Sequence, residues 1–455
     1  MREASFHSKK NYYLRVRRQR HFINSPWAGG VLLVVFAIVA MVLANAEATK
    51  AFYHHILQAR FTVGFADSSL AIVKSVEEWV NDGLMVLFFF VVGLEIKREV
   101  IAGQLSTFKQ ASLPVAAALG GMVVPALIYA AFNHGTPTAA GWGIPMATDI
   151  AFAIGILSLL GRRVPLSMKI FLTALAIADD LGAILVIAFF YSSQIDLVLL
   201  GCSAGVLLLM LWMNRMNVYS VWYYLVPSVL LWVLFLYSGV HSTIAGVLIA
   251  MLLPATPRHS KKYFSYKVHY YLESFRFHDR PGVEVLSNHT QHDDVNMLRQ
   301  VAKDSISPSQ RMEHALYNFV TFFVMPLFAL VNAGVEIGGA GSLSVFSTSL
   351  GTGIFLGLVI GKPLGIMLLS WIMVRTGVSV MPQGANWKIL AGVACLGGIG
   401  FTMSIFVDNL AFGGTAFVDT GKIAVLASSV AASLLGALMV NLAANVPADD
   451  GIEKK

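Results

Sequence analysis

The sequence predicts an all-α integral membrane protein of twelve transmembrane helices. Three observations predict it. Of 455 residues, 56% are hydrophobic and only 13% charged, against about 25% charged in an ordinary soluble domain, and the mean hydropathy is +0.70. Apolar runs long enough to cross a hydrocarbon core of about 30 Å recur along most of the chain. Lys and Arg gather in alternate connecting segments.

The apolar windows lie near 29–45, 79–95, 112–132, 142–160, 168–192, 196–213, 219–237, 240–254, 314–335, 350–374, 388–411 and 422–445. An even number puts both termini on one side. With the N-terminus in the cytoplasm, the inner segments hold Arg2, Lys9, Lys10, Arg15, Arg17, Arg18 and Arg20, then Lys97, Arg98 and Lys109, then Arg162, Arg163 and Lys169. The outer segments hold little beyond Lys50, Arg60, Lys74 and Lys422. That bias places both termini in the cytoplasm. A secretory signal ending at Ala44-Asn45-Ala46 is the competing reading of the first run. The long basic stretch before it and the many spans after it favour a retained first span from Gly29 to Leu43.

The organisation that follows is a basic cytoplasmic segment (1–28), spans 1–8 (29–254), a long cytoplasmic loop (255–313), spans 9–12 (314–445) and a cytoplasmic tail (446–455). The net charge of +7 is thereby assigned to inner loops facing membrane lipid, and nucleic acid is not expected as a partner. Cys202 and Cys395 are the only cysteines and sit in apolar runs, which excludes a disulfide framework and a cysteine metal cluster. The outer loop 50–76 contains Phe61-Thr62-Val63-Gly64-Phe65, an alternating piece that fits a short hairpin or a solvated loop equally. The middle of the inner loop, about 257–305, reads as mobile, with His259, His269, His278, His289 and His292 solvated rather than metal ligands.

Ionisable residues within spans are costly, by at least about 2.5–3.5 kcal/mol, and each is a functional candidate. Four qualify: Asp149, Asp179, Asp180 and Lys362. Asp179 and Asp180 are adjacent in the middle of span 5, about 100° apart around the helix, so they face neighbouring sectors of one wall. Two carboxylates this close in low dielectric resist simultaneous ionisation, which suits a proton carrier. A purely structural, hydrogen-bonded pair is the alternative.

Asp149 follows Gly143 and Pro145, and span 11 contains Gly397-Gly398-Ile399-Gly400, so both spans look interrupted at mid-depth. Interrupted spans in corresponding positions of two halves point to a transporter site. Facing half-helix ends leave positive charge at N-termini and negative charge at C-termini. Asp149 fits the former, and Lys362 the latter or a carboxylate, Asp179 being the obvious partner. A structural role for both is the rival reading.

From about Gly29 to Val440 the sequence resembles the NhaA family of sodium/proton antiporters. The resemblance is carried by Asn81-Asp82-Gly83-Leu84-Met85, Val92-Gly93-Leu94-Glu95-Ile96-Lys97-Arg98-Glu99, Ala147-Thr148-Asp149-Ile150-Ala151-Phe152-Ala153 and Ile177-Ala178-Asp179-Asp180-Leu181-Gly182-Ala183. Ser238-Gly239-Val240-His241, Pro326-Leu327-Phe328-Ala329, Asn332-Ala333-Gly334-Val335 and Gly400-Phe401-Thr402-Met403-Ser404-Ile405-Phe406 complete it. It implies a bacterial inner membrane protein of twelve helices, with inverted-topology repeats (spans 3–5 and 10–12) and two interrupted crossing helices, spans 4 and 11, that exports sodium or lithium driven by proton entry, with no cofactor, as a homodimer.

It also implies that Asp180 is the principal sodium ligand with Asp179, that Asp179 partners Lys362, and that Thr148 and Asp149 mark the crossing point. Glu95, Lys97, Arg98, Glu99, Glu313 and His241 would match the cytoplasmic funnel linked to pH response, where ordinary interfacial charge is the competing reading. Two departures stand out. The loop before Glu313 is longer than the family pattern, and Asp408 falls where an apolar or small residue is expected, most simply as an outer-end charge facing water, with tuning of the exit path as the alternative.

Sodium is a hard cation that takes oxygen ligands, which Asp149, Asp179, Asp180, freed backbone carbonyls and water can supply. A channel or another solute transporter would need an open polar path or a recognition pocket. An intramembrane aspartyl protease would need two carboxylates on different helices sharing a proton; adjacency on one helix and the nearby Lys362 argue against it.

Overall fold

The computed structural model describes residues 26–64, 71–192, 195–279, 287–336 and 344–443. The basic stretch before Pro26, Phe65 of the outer loop, the tail 446–455, and with them the sidedness of both termini, lie outside the described residues.

Among the described residues, eight helices are long and apolar enough to cross a membrane: Trp27–Asn45, Phe108–Asn133, Ala139–Leu159, Leu166–Phe190, Leu197–Arg215, Pro308–Asn332, Ser349–Arg375 and Phe417–Ala443. A ninth span forms if Trp387–Gly397 and Phe401–Phe412, bent by 43°, count as one. Expected spans 7 and 8 are the shorter apolar helices Trp222–Ser238 and Thr243–Leu252. Expected span 2 falls on Met85–Ala102, whose last turns carry Glu95, Lys97, Arg98 and Glu99. The chain is a mostly helical, multi-pass membrane protein, and a count of twelve depends on these three helices.

It divides into two compact units. The first comprises Met1–Phe88, Glu99–Ser192 and Phe319–Lys455. Its helices approach each other at small residues, the usual means of close packing where lipid removes a hydrophobic drive for association. Phe108–Asn133 packs on Lys362–Arg375 with Gly120 against Gly365, where an added Cβ on either would stand 2.0–2.1 Å from the other's carbonyl oxygen. A π-helical turn, Gly357–Gly361, precedes Lys362 and seats Gly361 on the backbone of Pro125. Two more such turns, Val80–Leu84 and Val320–Val324, interrupt other helices, and π turns are frequent at functional sites. In the outer loop the alternating piece pairs as a hairpin, Arg60–Val63 against Ile72–Ser75, antiparallel with Phe61 opposite Lys74. Ser75 then opens the next helix through a capping box with Glu78.

The second unit comprises Phe89–Arg98 and Ser193–Asn318. Gly93 lets its helix lie directly on Val247 and Ala250. Asp196 caps Leu197–Arg215 by accepting from Val198 and Leu199, and its own N–H donates to Ser238 O.

The reading of 257–305 as a mobile stretch is corrected within this unit. Its described residues form two helices, Lys261–Phe277 and His289–Asp304, packed on each other. Ser260 caps the first and Asn288 the second. Between them Gln291 Nε2 donates to Phe275 O at 3.0 Å and Asn288 Nδ2 to His278 O at 2.8 Å. The polar composition signals exposure to water, and that does not exclude capped amphipathic helices.

Candidate functional site

Both suspect spans of the first unit are broken. The 3₁₀ helix Ala139–Met146 ends after Pro145, residues 147–149 run extended, and Ile150–Leu159 resumes as α-helix. Trp387–Gly397 gives way to Phe401–Phe412 through Gly398 and Gly400. The breaks meet: the Asp149 N–H donates to Ile399 O at 2.7 Å, Thr148 Oγ1 to Gly397 O at 2.8 Å and Ser404 Oγ to Ile144 O at 2.8 Å. Gly398 is required by closeness, since a Cβ there would lie 2.4 Å from Leu358 O.

Asp149 faces the positive ends of two half-helices at once. It accepts from Phe152 N at 3.0 Å at the start of Ile150–Leu159, and from Thr402 N at 3.2 Å and Thr402 Oγ1 at 2.5 Å at the start of Phe401–Phe412. One carboxylate thus caps two N-termini. Lys362 does the converse, donating to Met146 O, the last residue of the 3₁₀ half-helix, and to Asp179 Oδ2 at 2.6 Å.

Asp179 Oδ2 also accepts from Thr148 Oγ1 at 2.6 Å, while its Oδ1 has no hydrogen-bond partner among the described residues. Asp180, on the same Leu166–Phe190 helix, is buried and acts electrostatically on Lys362. The structure therefore brings together Thr148, Asp149, Asp179, Asp180 and Lys362, fully enclosed, around the breaks made by Pro145, Gly397, Gly398 and Gly400.

Sequence reasoning gave no role to Thr402, Ser404 or Ser429. Thr402 and Ser404 bind the opposite broken helix, and Ser429 Oγ accepts from Phe401 N at 3.1 Å. For Thr402 and Ser404 the available signal was a hydroxyl in the first turn after a glycine break, where helix N–H groups need acceptors; Ser429, inside Phe417–Ala443, carried no such signal. The water-facing reading of Asp408 is corrected. The residue is fully buried rather than facing water, because Phe401–Phe412 packs against both Ala139–Met146 and Phe417–Ala443.

Of the funnel residues, Arg98 pairs with Glu313, and Lys97 donates to Met251 O at 2.7 Å and to Leu253 O at the C-terminal end of Thr243–Leu252. Glu99 accepts from Gln104 N at 2.8 Å, and Glu95 is half-buried on the same helix. His241 does not join the group in the second unit. It precedes the opposite end of Thr243–Leu252, its Nδ1 3.4 Å from Thr243 Oγ1, about 15 Å along the helix from the carbonyls that Lys97 binds.

A multi-pass helical protein whose broken helices cross over a buried set of carboxylates and one lysine has the architecture of an ion-coupled secondary transporter. The family model Na+/H+ antiporter 1 matches residues 20–440, and the chain belongs to this NhaA family of Na+/H+ antiporters. It is 44% identical to the Na(+)/H(+) antiporter NhaA of Oleidesulfovibrio alaskensis over 93% of each chain. It is also 43% identical to that of Christiangramia forsetii, covering 93% of this chain and 94% of the relative. With that of Syntrophobacter fumaroxidans it shares 46% identity over 91% and 88%.

Proposed function

We propose that this protein exports sodium, or lithium, in exchange for entering protons, by alternating access around the crossing of its two broken helices. The observation that carries the reading is the enclosed set of Asp149, Asp179, Asp180 and Lys362 at that crossing. Asp180 serves as the principal sodium ligand, and the second oxygen of Asp179 and the carbonyls freed by the broken helices supply further hard oxygen donors. Protons compete for the same carboxylates. A site emptied of both would hold uncompensated negative charge in a low dielectric and would not reorient, so only loaded forms cross.

Lys362 neutralises Asp179 between cycles. Sodium engaging Asp179 weakens that pair and eases proton release from the ammonium, which makes Lys362 a second proton carrier and the exchange electrogenic. Thr148 and Asp149 hold the crossing. Glu95, Lys97, Arg98, Glu99 and Glu313 regulate access with pH, supported by the Arg98–Glu313 pair and by the Lys97 contacts with the carbonyls that end Thr243–Leu252.

We read the chain as twelve spans in the inner membrane with both ends cytoplasmic. Two triplets around the broken helices, 108–190 and 349–443, form inverted repeats. The symmetry of one interrupted helix per triplet and the sidedness of Lys and Arg support this. A homodimer in lipid, with no nucleic acid partner, completes the reading. The exposed strand Arg60–Val63, paired with Ile72–Ser75, offers a strand edge to a second copy.

The test is sodium-driven proton flux in sealed proteoliposomes as a function of pH, with membrane potential monitored. Exchange that generates potential supports the reading. Sodium flux without proton counterflow overturns it.

A further inference from the structure

Asp408 is a buried carboxylate outside the crossing set, and both its oxygens lack a hydrogen-bond partner among the described residues. A carboxylate in that state must be protonated, or hold a cation, to be tolerated in a low dielectric.

Its place in the fold is informative. Ser404, Asp408 and Phe412 form one stripe at i, i+4 and i+8 along Phe401–Phe412. Ser404 binds Ile144 O and Phe412 packs on Gly141, so the stripe faces the half-helix Ala139–Met146. Asp408 is about 6 Å along the helix from Ser404, one turn from the crossing toward the outer end of the span. On its other side, a Cβ added to Gly421 would fall 1.9 Å from Asp408 Oδ1.

The titratable and charged groups that interact with it are Lys422 and Asp419 on Phe417–Ala443, Tyr129 on Phe108–Asn133 and Tyr191 at the end of Leu166–Phe190. Lys422 is itself buried, yet it makes no hydrogen bond to either Asp408 oxygen. The two tyrosine hydroxyls are committed to backbone carbonyls, Tyr129 to Thr138 O at 2.6 Å and Tyr191 to Ala140 O at 2.7 Å.

We propose that Asp408 is a second ion station, between the crossing and the outer face, where a sodium ion and a proton replace one another on the same carboxylate. This deepens the antiport reading and rests on it. The exchange balances: the proton leaving the carboxyl is replaced by one monovalent cation, with Lys422 limiting how tightly that cation is held. Sodium leaving the crossing pauses there, and a proton entering from outside is captured there first.

The experiment compares the full-length parent, Asp408→Asn and Gly421→Ala in right-side-out and inside-out vesicles, with sodium offered on one face at a time. Asp408→Asn is expected to raise the sodium KM at the outer face by about tenfold, the size of losing one charge-assisted ligand, with the inner-face KM within about twofold of the parent. Gly421→Ala, which displaces the carboxylate without removing it, shifts the outer KM in the same direction and stands in if the Asn variant fails to insert. Infrared difference spectra on adding sodium give a readout apart from transport: the parent loses a protonated-carboxyl band that Asp408→Asn lacks. Equal KM changes on both faces, unchanged KM values, or an identical carboxyl band in parent and variant overturn the proposal. A parent that exchanges no protons for sodium instead overturns the antiport reading, and the infrared comparison still decides whether Asp408 takes sodium.

Discussion

Lys362 Nζ lies 2.6 Å from Asp179 Oδ2, with both side chains enclosed at the crossing of the broken helices. Removing one partner of such a buried pair strands the other charge, at a cost of about 3–5 kcal/mol. Lys362→Ala is expected to melt well below the parent in detergent. Lys362→Arg keeps the pair but cannot release its proton, since guanidinium stays charged in proteins, so it should melt near the parent and exchange with an altered pH profile. If both variants match the parent in melting and in pH dependence, Lys362 is neither partner nor carrier.

Asp180→Asn should abolish sodium-driven proton flux while insertion and thermal stability stay near normal. The amide keeps the carboxylate's shape, but it neither titrates nor supplies the charge that holds a hard cation. Asp179→Asn should act less uniformly, because it unpairs Lys362 yet leaves one titrating carboxylate. Substantial flux in Asp180→Asn removes it as the central ligand.

Asp149 caps two half-helices through Phe152 and Thr402, so Asp149→Ala should cost about 2 kcal/mol, roughly 1 for each lost cap. Thr402→Val removes only the hydroxyl bond to Asp149 and should cost about 1 kcal/mol. Chemical denaturation in micelles measures both. Equal effects would mean that Asp149 serves only the second half-helix.

Deleting residues 262–302 should leave exchange intact and at most shift its pH response. The described residues of the excised piece form two packed helices, and the chain flanking it already meets, with Arg258 and His259 N–H groups donating to Asp304 O. A shortened chain can therefore close there with little displacement of the spans. A variant that inserts normally but exchanges at no pH would place this stretch in the transport machinery.

Much of the site was legible because bilayer physics makes polar residues inside spans conspicuous. Asp149, Asp179, Asp180 and Lys362 are exposed as candidates by cost alone, and Pro145 with the glycines of 397–400 announces the breaks through backbone chemistry. The pairing of Lys362 with Asp179 and the neutralising of half-helix ends follow from charge. The charge order of the loops likewise sets an expectation of sidedness.

Other features needed the folded chain. Asp408 reads as a water-facing end charge, because sequence position near the end of an apolar run carries no information about which helices will cover it; packing by Ala139–Met146 and Phe417–Ala443 decided that. His241 sits beside a motif of the same family, yet a helix about 15 Å long separates it from Lys97's carbonyl partners. The helices in 257–305 were hidden because a polar composition reports solvent exposure rather than backbone conformation. The sequence by itself determined a multi-pass membrane protein with costly charges at mid-depth, since that follows from each residue's own cost of leaving water. Only the tertiary structure decided which of those charges meet, and that one carboxylate caps two helices, because partners far apart in the chain are chosen by packing geometry.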